Sequence, residues 1–356
     1  MKRRKHRDAR PPRRRQRLVY APPPTPLKRP PRTDLAARAD ELDKRTFAAV
    51  DAVVARIAGA VEQSTSLDDL RRLGTQWQML LAMKGTHRSI RRLVGGDEME
   101  LSLDALPLTR VQLERCFLAL LLADNPARWH GRYRKNAWKA FAEKFFRDQR
   151  TLGHFEPYGE YFGPSGEGVR LLRQFAHEMD VSEDEFQTLR VQVTGDEPDP
   201  RFRQWFIADM PTPGRCLQEL TGATHKRLAL LLYPCYDNLS HFSHGGLVGI
   251  MQAAILRSGS GAGGDQDDRD GEARRRRFWA SNVLEQTLPL SYVSLLLVAT
   301  LLARPHLDDE ELREALLAAW RPYHSDGSPL GVALWDAWAS DVLRAGGDPH
   351  AGDDVQ

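Results

Sequence analysis

The spacing of apolar residues in this chain is helical almost throughout. Leu35, Leu42, Val50, Val53, Val54, Ile57 and Val61 recur near a 3.6-residue period and predict a helix from Thr33 to about Gln63. Ser66, with Asp68 and Asp69 behind it, has the composition of a helix start, where acids face the positive end of the dipole. The helix it opens carries Leu70, Leu73, Trp77, Leu80 and Leu81, passes Gly85 toward Leu93 and stops at Gly95-Gly96. Residues 107–123 are almost wholly apolar after Arg115, which predicts a central helix; Pro107 is tolerated in its first turn. Asp124-Asn125-Pro126 ends that helix and begins the next.

Residues 126–151 combine aromatics with cations. Trp138, Phe141 and Phe145 fall on one side and read as core. Arg128, Arg132, Arg134, Lys135, Lys139, Lys144, Arg147 and Arg150 take the other faces, and read as solvated in preference to a phosphate-contacting surface. The segment 153–165, GHFEPYGEYFGPS, predicts an ordered loop or lid that buries Phe155, Tyr158, Tyr161 and Phe162. Helices follow at about 166–180 and 183–193, the second opened by the capping-box pattern Ser182-x-x-Glu185. A proline-punctuated connection from Asp196 to Pro213 contains the apolar knot Trp205-Phe206-Ile207.

The stretch 224–256, THKRLALLLYPCYDNLSHFSHGGLVGIMQAAIL, is another apolar helix, interrupted by polar residues before Gly245-Gly246. A helix from Arg274 runs through Trp279, kinks at Pro289 and continues to Ala303. Its run from Leu288 is short for a membrane span and reads as a buried helix. Two more helices, about 307–320 and 330–344, complete the pattern. No fixed-period repeat and no sustained alternation appear, so the predicted fold is an all-α multi-helix bundle.

Charge divides the chain. Residues 1–32 hold 13 Lys/Arg against Asp8 alone, a balance of +12, which leaves −9 on residues 33–356 within the chain total of +3. This segment also carries three consecutive prolines at 22–24, so the predicted organisation begins with a disordered basic arm, 1–32, suited to RNA or another polyanion. The rest divides into a helical bundle, 33–256, a flexible Gly/Ser/Asp linker, 257–272, C-terminal helices packing on the bundle, 273–345, and a frayed tail, 346–356.

Cys116, Cys216 and Cys235 are far apart and form no CxxC pair, which suits a reducing, cytoplasmic setting and argues against a zinc ribbon. Gly259, Gly261 and Gly264 match GxGxxG but follow a helix in place of a strand, so no dinucleotide cofactor is expected. A homo-oligomer is compatible with the sequence.

The candidate chemistry lies in the polar row of the 224–256 helix. Tyr236, Ser240 and His244 are spaced four apart, on a slowly drifting helical face. Three readings follow. Asp237, His241 and His244 at i, i+4, i+7 suit a metal, although no companion ligand motif appears and none is assigned. His244 suits a general acid/base with Tyr236, Asn238 or Ser240 orienting a phosphate or ribose. The third reading is a satisfied structural network that also takes in an Arg–Glu pair.

Arg110-x-x-x-Glu114, Asp124-x-Pro126 and Tyr236-x-x-Leu239-Ser240-x-x-x-His244 together resemble a widespread bacterial family of all-helical proteins of unknown function. That family is in turn distantly similar to the HEPN bundles, some of which are metal-independent RNases of toxin–antitoxin and phage-defence systems. The resemblance spans roughly 65–256 and implies that Arg110, Glu114, Tyr236, Ser240 and His244 face one another. It implies an RNA-binding or RNA-cleaving role in defence or stress, with His244 as base and Arg110 stabilising phosphorane charge. One feature differs: an HEPN nuclease places Arg four to six residues before its His, and no Arg stands there before His244. The alternative is a non-catalytic interaction protein with a structural polar network and a basic tether for acidic partners.

Overall fold

The computed structural model describes residues 34–95, 104–163, 166–243, 287–325 and 329–345; all regular structure among them is helical. The arm 1–32, the linker 257–272 and the tail 346–356 lie outside the described residues, as does the start of the helix expected from Arg274. Helices α1 (Asp34–Gln63), α2 (Leu67–Gly95), α3 (Ala105–Asp124) and α4 (Pro126–Leu152) follow the hydrophobic pattern closely. After them come α5 (Gly159–Phe162), α6 (Glu167–Glu178), α7 (Glu183–Thr194), α8 (Pro213–Glu219) and α9 (Ala223–Ser243). Then α10 covers 287–303, α11 Glu310–Ser325 and α12 Pro329–Leu334; a π-helical turn, Trp335–Ala339, leads into α13, Ser340–Ala345.

Local chemistry sets several boundaries. Asn125 caps α4 by accepting from the amide of Arg128 at 3.0 Å. Ser182 and Glu185 form the reciprocal capping box of α7, with Glu185 N donating to Ser182 Oγ at 3.2 Å and Ser182 N donating to Glu185 Oε2 at 2.9 Å. Gly195 ends α7 with φ of +78°, a left-handed conformation that glycine adopts without a Cβ penalty.

The main core is built around α3 and α10. Leu113, Cys116, Phe117, Leu120 and Leu121 of α3 are buried, and α3 packs against α2 and α9 while α1 packs against α2 and α11. Every residue from 287 to 303 is buried. The helix Thr287–His306 is long and apolar enough to cross a membrane, yet 89% of its most apolar window is buried by the rest of the chain. It is a core helix, wrapped by amphipathic neighbours.

A second, smaller core joins Trp138, Phe145 and Phe146 of α4 to Leu172 of α6 and Phe186 and Leu189 of α7. Here two expectations are corrected. The α4 cations are solvated only in part: Arg128, Lys144, Arg147 and Arg150 are exposed, but Lys135 pairs with Glu185 at 2.8 Å, Arg134 with Asp180 at 2.8 Å and Lys139 with Asp209 at 2.7 Å, and the exposed Arg128 reaches Glu219 at 2.6 Å. Arg132 donates to the carbonyls of Ala208 and Asp209. Periodicity finds a polar face but does not say whether water or an acidic neighbour lies against it. The second correction concerns aromatics. Phe162 is half-buried, but Phe141, Phe155, Tyr158 and Tyr161 are exposed, and so are Trp205 and Phe206.

Asp124 sets the register of α3 against α9. Its carboxylate accepts from Thr221 N and Thr221 Oγ, both at 2.9 Å, and from Gly222 N at 2.7 Å; His225 Nδ1 lies 3.1 Å away. A Cβ on Gly222 would stand 2.7 Å from Asp124 Oδ1, so the close approach requires glycine. Burial favours the neutral acid, but these hydrogen bonds outweigh it and hold the carboxyl below the usual carboxylate range. Asp124→Ala should therefore cost about 1–3 kcal/mol in urea denaturation at pH 7, since it removes the shared acceptor of Thr221 and the half-buried Gly222 amide. The folded pKa is the lower one, so the wild-type advantage is complete above about pH 4 and shrinks as pH falls below it. Urea midpoints of both proteins across pH 3–7 measure this.

Candidate functional site

Fourteen residues separate Arg110 from Asp124, and fourteen separate Gly222 from Tyr236. With Asp124 held at Gly222, antiparallel helices rising about 1.5 Å per residue bring Arg110 opposite Tyr236. The contact is there: Arg110 Nη2 donates to Tyr236 Oη at 3.2 Å, and its guanidinium carbon lies 5.4 Å from the ring centroid. Glu114, one turn along α3, pairs with Arg110 Nε at 3.1 Å. Phe117 meets the Tyr236 ring edge-on at 5.9 Å, and Tyr233 lies 6.3 Å away. The Ser240 hydroxyl donates back to the Tyr236 carbonyl at 3.0 Å.

Of the five residues expected to face one another, Arg110, Glu114 and Tyr236 are in mutual or shared contact, with Ser240 joined through the α9 backbone. His244, four residues after Ser240 in the sequence, lies outside the described residues. Asp237 and Asn238 are exposed, so neither belongs to the buried side of the row. Among the described residues no group of three His, Cys, Asp or Glu is arranged to hold a metal. The Arg110 side chain is 16% exposed and Glu114 39%, which puts the pair at the edge of the fold. Chemically the cluster is a cation neutralised by a neighbouring carboxylate and aimed at a phenol. For Arg110 to take a phosphate there, Glu114 must yield one of its contacts.

A second polar constellation escaped the sequence reading. His87, wholly buried on α2, has Nδ1 2.7 Å from Ser291 Oγ of α10 and Nε2 3.1 Å from Asp43 Oδ1 of α1. Asp43 also accepts from the Tyr292 hydroxyl and, at 2.9 Å, from Arg91 Nε; Arg91 reaches Asp40 at 3.1 Å. Gln112 of α3 donates to the Ser291 carbonyl at 3.2 Å and to Ser291 Oγ at 3.3 Å. The order Ser–His–Asp is that of a hydrolytic triad, but Ser291 and His87 are both fully buried, so no substrate carbonyl reaches the hydroxyl. It is a junction of four helices. Burial lowers the His87 pKa, only partly countered by Asp43, so the ring is neutral, accepting from Ser291 and donating to Asp43. Nothing local marked His87, because its partners Asp43 and Ser291 lie 44 and 204 residues away.

Burial keeps the thiols in the protonated form. Cys116, Cys216 and Cys235 are free, and burial pushes the first two up to about 12. His130 of α4 is driven down to about 4 by burial and by Arg72 and Arg134.

No family description, characterised protein or solved structure matches this chain.

Two outcomes are expected from these sites. In a double-mutant cycle on urea stability, Arg110→Met and Tyr236→Phe should couple by about 0.5–1.5 kcal/mol, since the hydroxyl accepts from the guanidinium. Additive losses would show that the contact carries no energy. For His87, the folded pKa lies below the ordinary 6.5, so its contribution is complete above about pH 6.5 and is lost as pH falls through the folded value. His87→Ala should cost about 3 kcal/mol at pH 7, with a cavity left in the core and Asp43 and Ser291 each losing one partner, and should flatten the acid limb of the stability profile. NMR titration of the histidine C2 protons should find the His87 ring titrating below 6.5 and His130 near 4.

Proposed function

We propose that this is an RNA-handling helical bundle, acting in the cytoplasm, in which Arg110, Glu114, Tyr236 and Ser240, continued along the chain by His244, form the working site. The observation that carries this reading is the meeting of Arg110 and Tyr236 across 126 residues of sequence, at the edge of the fold. In the enzyme form of the proposal, His244 takes the proton of a ribose 2′-hydroxyl and Arg110 stabilises charge on the phosphorane. Residues 1–32, at +12, supply electrostatic attraction to the polyanion. Three free thiols support the reducing compartment.

A second reading has its own observation. Glu114 neutralises Arg110, and Ser240 spends its hydroxyl on its own helix, which is what a structural network at a helix–helix contact requires. On that reading the protein is a non-catalytic interaction protein with a basic tether.

RNA cleavage and binding by the full chain separate the two. Wild type is compared with His244→Ala and with Arg13→Gln/Arg14→Gln/Arg15→Gln across a salt series. Cleavage falling at least about a hundredfold in His244→Ala, with unchanged melting temperature, establishes the nuclease. Binding without cleavage, weakened by the arginine triple variant and steeply by salt, establishes the tether. No RNA activity in wild type defeats the first reading.

A further inference from the structure

Several buried and half-buried cations of this fold are matched with acids. Arg71 and Arg134 share Asp180 at 3.0 and 2.8 Å, Arg91 bonds Asp43 at 2.9 Å, Arg110 has Glu114 at 3.1 Å, and Lys84 has Asp51. Arg132 faces no carboxylate so closely, but it donates from both Nε and Nη2 to the Ala208 and Asp209 carbonyls.

Arg115 of α3 is half-buried and differs from all of these. Its Nη1 donates to the Ala82 carbonyl at 3.2 Å and to Thr86 Oγ1 at 2.6 Å, both neutral acceptors on α2. Among the described residues no carboxylate pairs with it, and its Nε and Nη2 have no hydrogen-bond partner. Neither nitrogen is sealed from solvent. Glu114, the adjacent acid, is engaged by Arg110. Burial outweighs the surrounding charges and lowers the Arg115 pKa, as it does for a cation taken from water with no anion in its place.

A second unspent donor stands close by. The Tyr133 ring of α4 packs against the main core, and its hydroxyl and the Arg115 guanidinium act on each other electrostatically. Tyr133 is half-buried, and among the described residues its hydroxyl makes no hydrogen bond.

We propose that Arg115 and Tyr133 hold the terminal phosphate of a ligand, either free phosphate or a phosphate monoester. Nε and Nη2 are the two parallel donors of the guanidinium fork, and the phenol adds a third. A terminal phosphate has three oxygens to meet them, whereas a carboxylate has two. The bonds from Nη1 to α2 hold the fork in place. Partial burial strengthens the pairing of opposite charges. The inference stands apart from the RNA reading, since it needs neither Arg110 nor His244.

The test is isothermal titration calorimetry on the full chain. The probes are inorganic phosphate, uridine 5′-monophosphate, acetate, and an oligouridine with a 5′-phosphate or a 5′-hydroxyl. Attraction to residues 1–32 is common to wild type and variants, so the comparison removes it. Arg115→Met should raise the Kd for phosphate and the nucleotide at least about tenfold, and Tyr133→Phe about threefold. Acetate should bind far more weakly than phosphate. Arg115-dependent binding of the nucleotide supports a small-molecule ligand; dependence confined to the 5′-phosphorylated oligouridine supports an RNA end. If Arg115→Met lowers the melting temperature, Tyr133→Phe carries the test, because it removes one oxygen and no contact between helices. No binding by wild type at millimolar phosphate and nucleotide, with no Arg115-dependent binding of the 5′-phosphorylated oligouridine, overturns the proposal. So do equal Kd values in wild type and both variants, acetate binding as tight as phosphate, or equal Arg115 dependence for the two oligouridines.

Discussion

One hydrogen-bonded line, Ser291 to His87 to Asp43, decides how this bundle closes. Helix α10 is buried over its whole length, so its polar side chains depend on partners inside the protein, which Ser291, Tyr292 and Thr300 find and the Ser294 hydroxyl does not. Ser291 finds His87 and Gln112, Tyr292 finds Asp43 and the Ala39 carbonyl, and Thr300 bonds Leu296 O and accepts from Trp320 Nε1 at 3.0 Å. These contacts fix α1, α2, α3 and α11 around α10 with an angular precision that apolar packing alone does not impose. They also explain why a triad-like sequence of groups does no chemistry: the burial that makes the network strong closes it to substrate.

The α3–α9 pair is a longer lever. Asp124 satisfies the first amides before α9, where backbone donors have no helical partner, and in doing so fixes the sliding register of two helices. Arg110 and Tyr236 meet about 21 Å away as a consequence of that anchor. A site at the edge of the fold thus inherits its geometry from a capping interaction at the opposite end of both helices.

The α4–α7 lobe is organised differently. Its small aromatic core is ringed by ion pairs between α4 cations and acids from α7 and from the 196–213 connection. Pairs of this kind contribute little individually when exposed, but together with the backbone bonds from Arg132 they seat an extended segment that has no helical bonds of its own. Of the α4 charges that read as solvated, Arg134, Lys135 and Lys139 are instead paired within the fold, while Lys144, Arg147 and Arg150 remain exposed. Of the aromatics that read as core, Trp138 and Phe145 are buried, while Phe141, Phe155, Tyr158 and Tyr161 are left outside.

Helix positions were legible in the sequence, because the 3.6-residue period and the caps are local. The Asn125 cap and the Ser182–Glu185 box each depend on neighbours within four residues. The pairing of Arg110 with Glu114 was legible for the same reason. The meeting of that pair with Tyr236 entered through a recurring pattern of residues, not through any local rule. What tertiary structure alone decided was burial and partnership. His87 sits between Thr86 and Arg88 with nothing nearby to single it out, yet it becomes the centre of the core. Phe155 and Tyr158 have every compositional reason to be inside, yet face water, while Phe162 packs on Phe145 of α4. Local propensity is a property of a residue and its helix. Exposure and hydrogen-bond partnership belong to whichever distant segments arrive beside it, and those are set only when the helices pack.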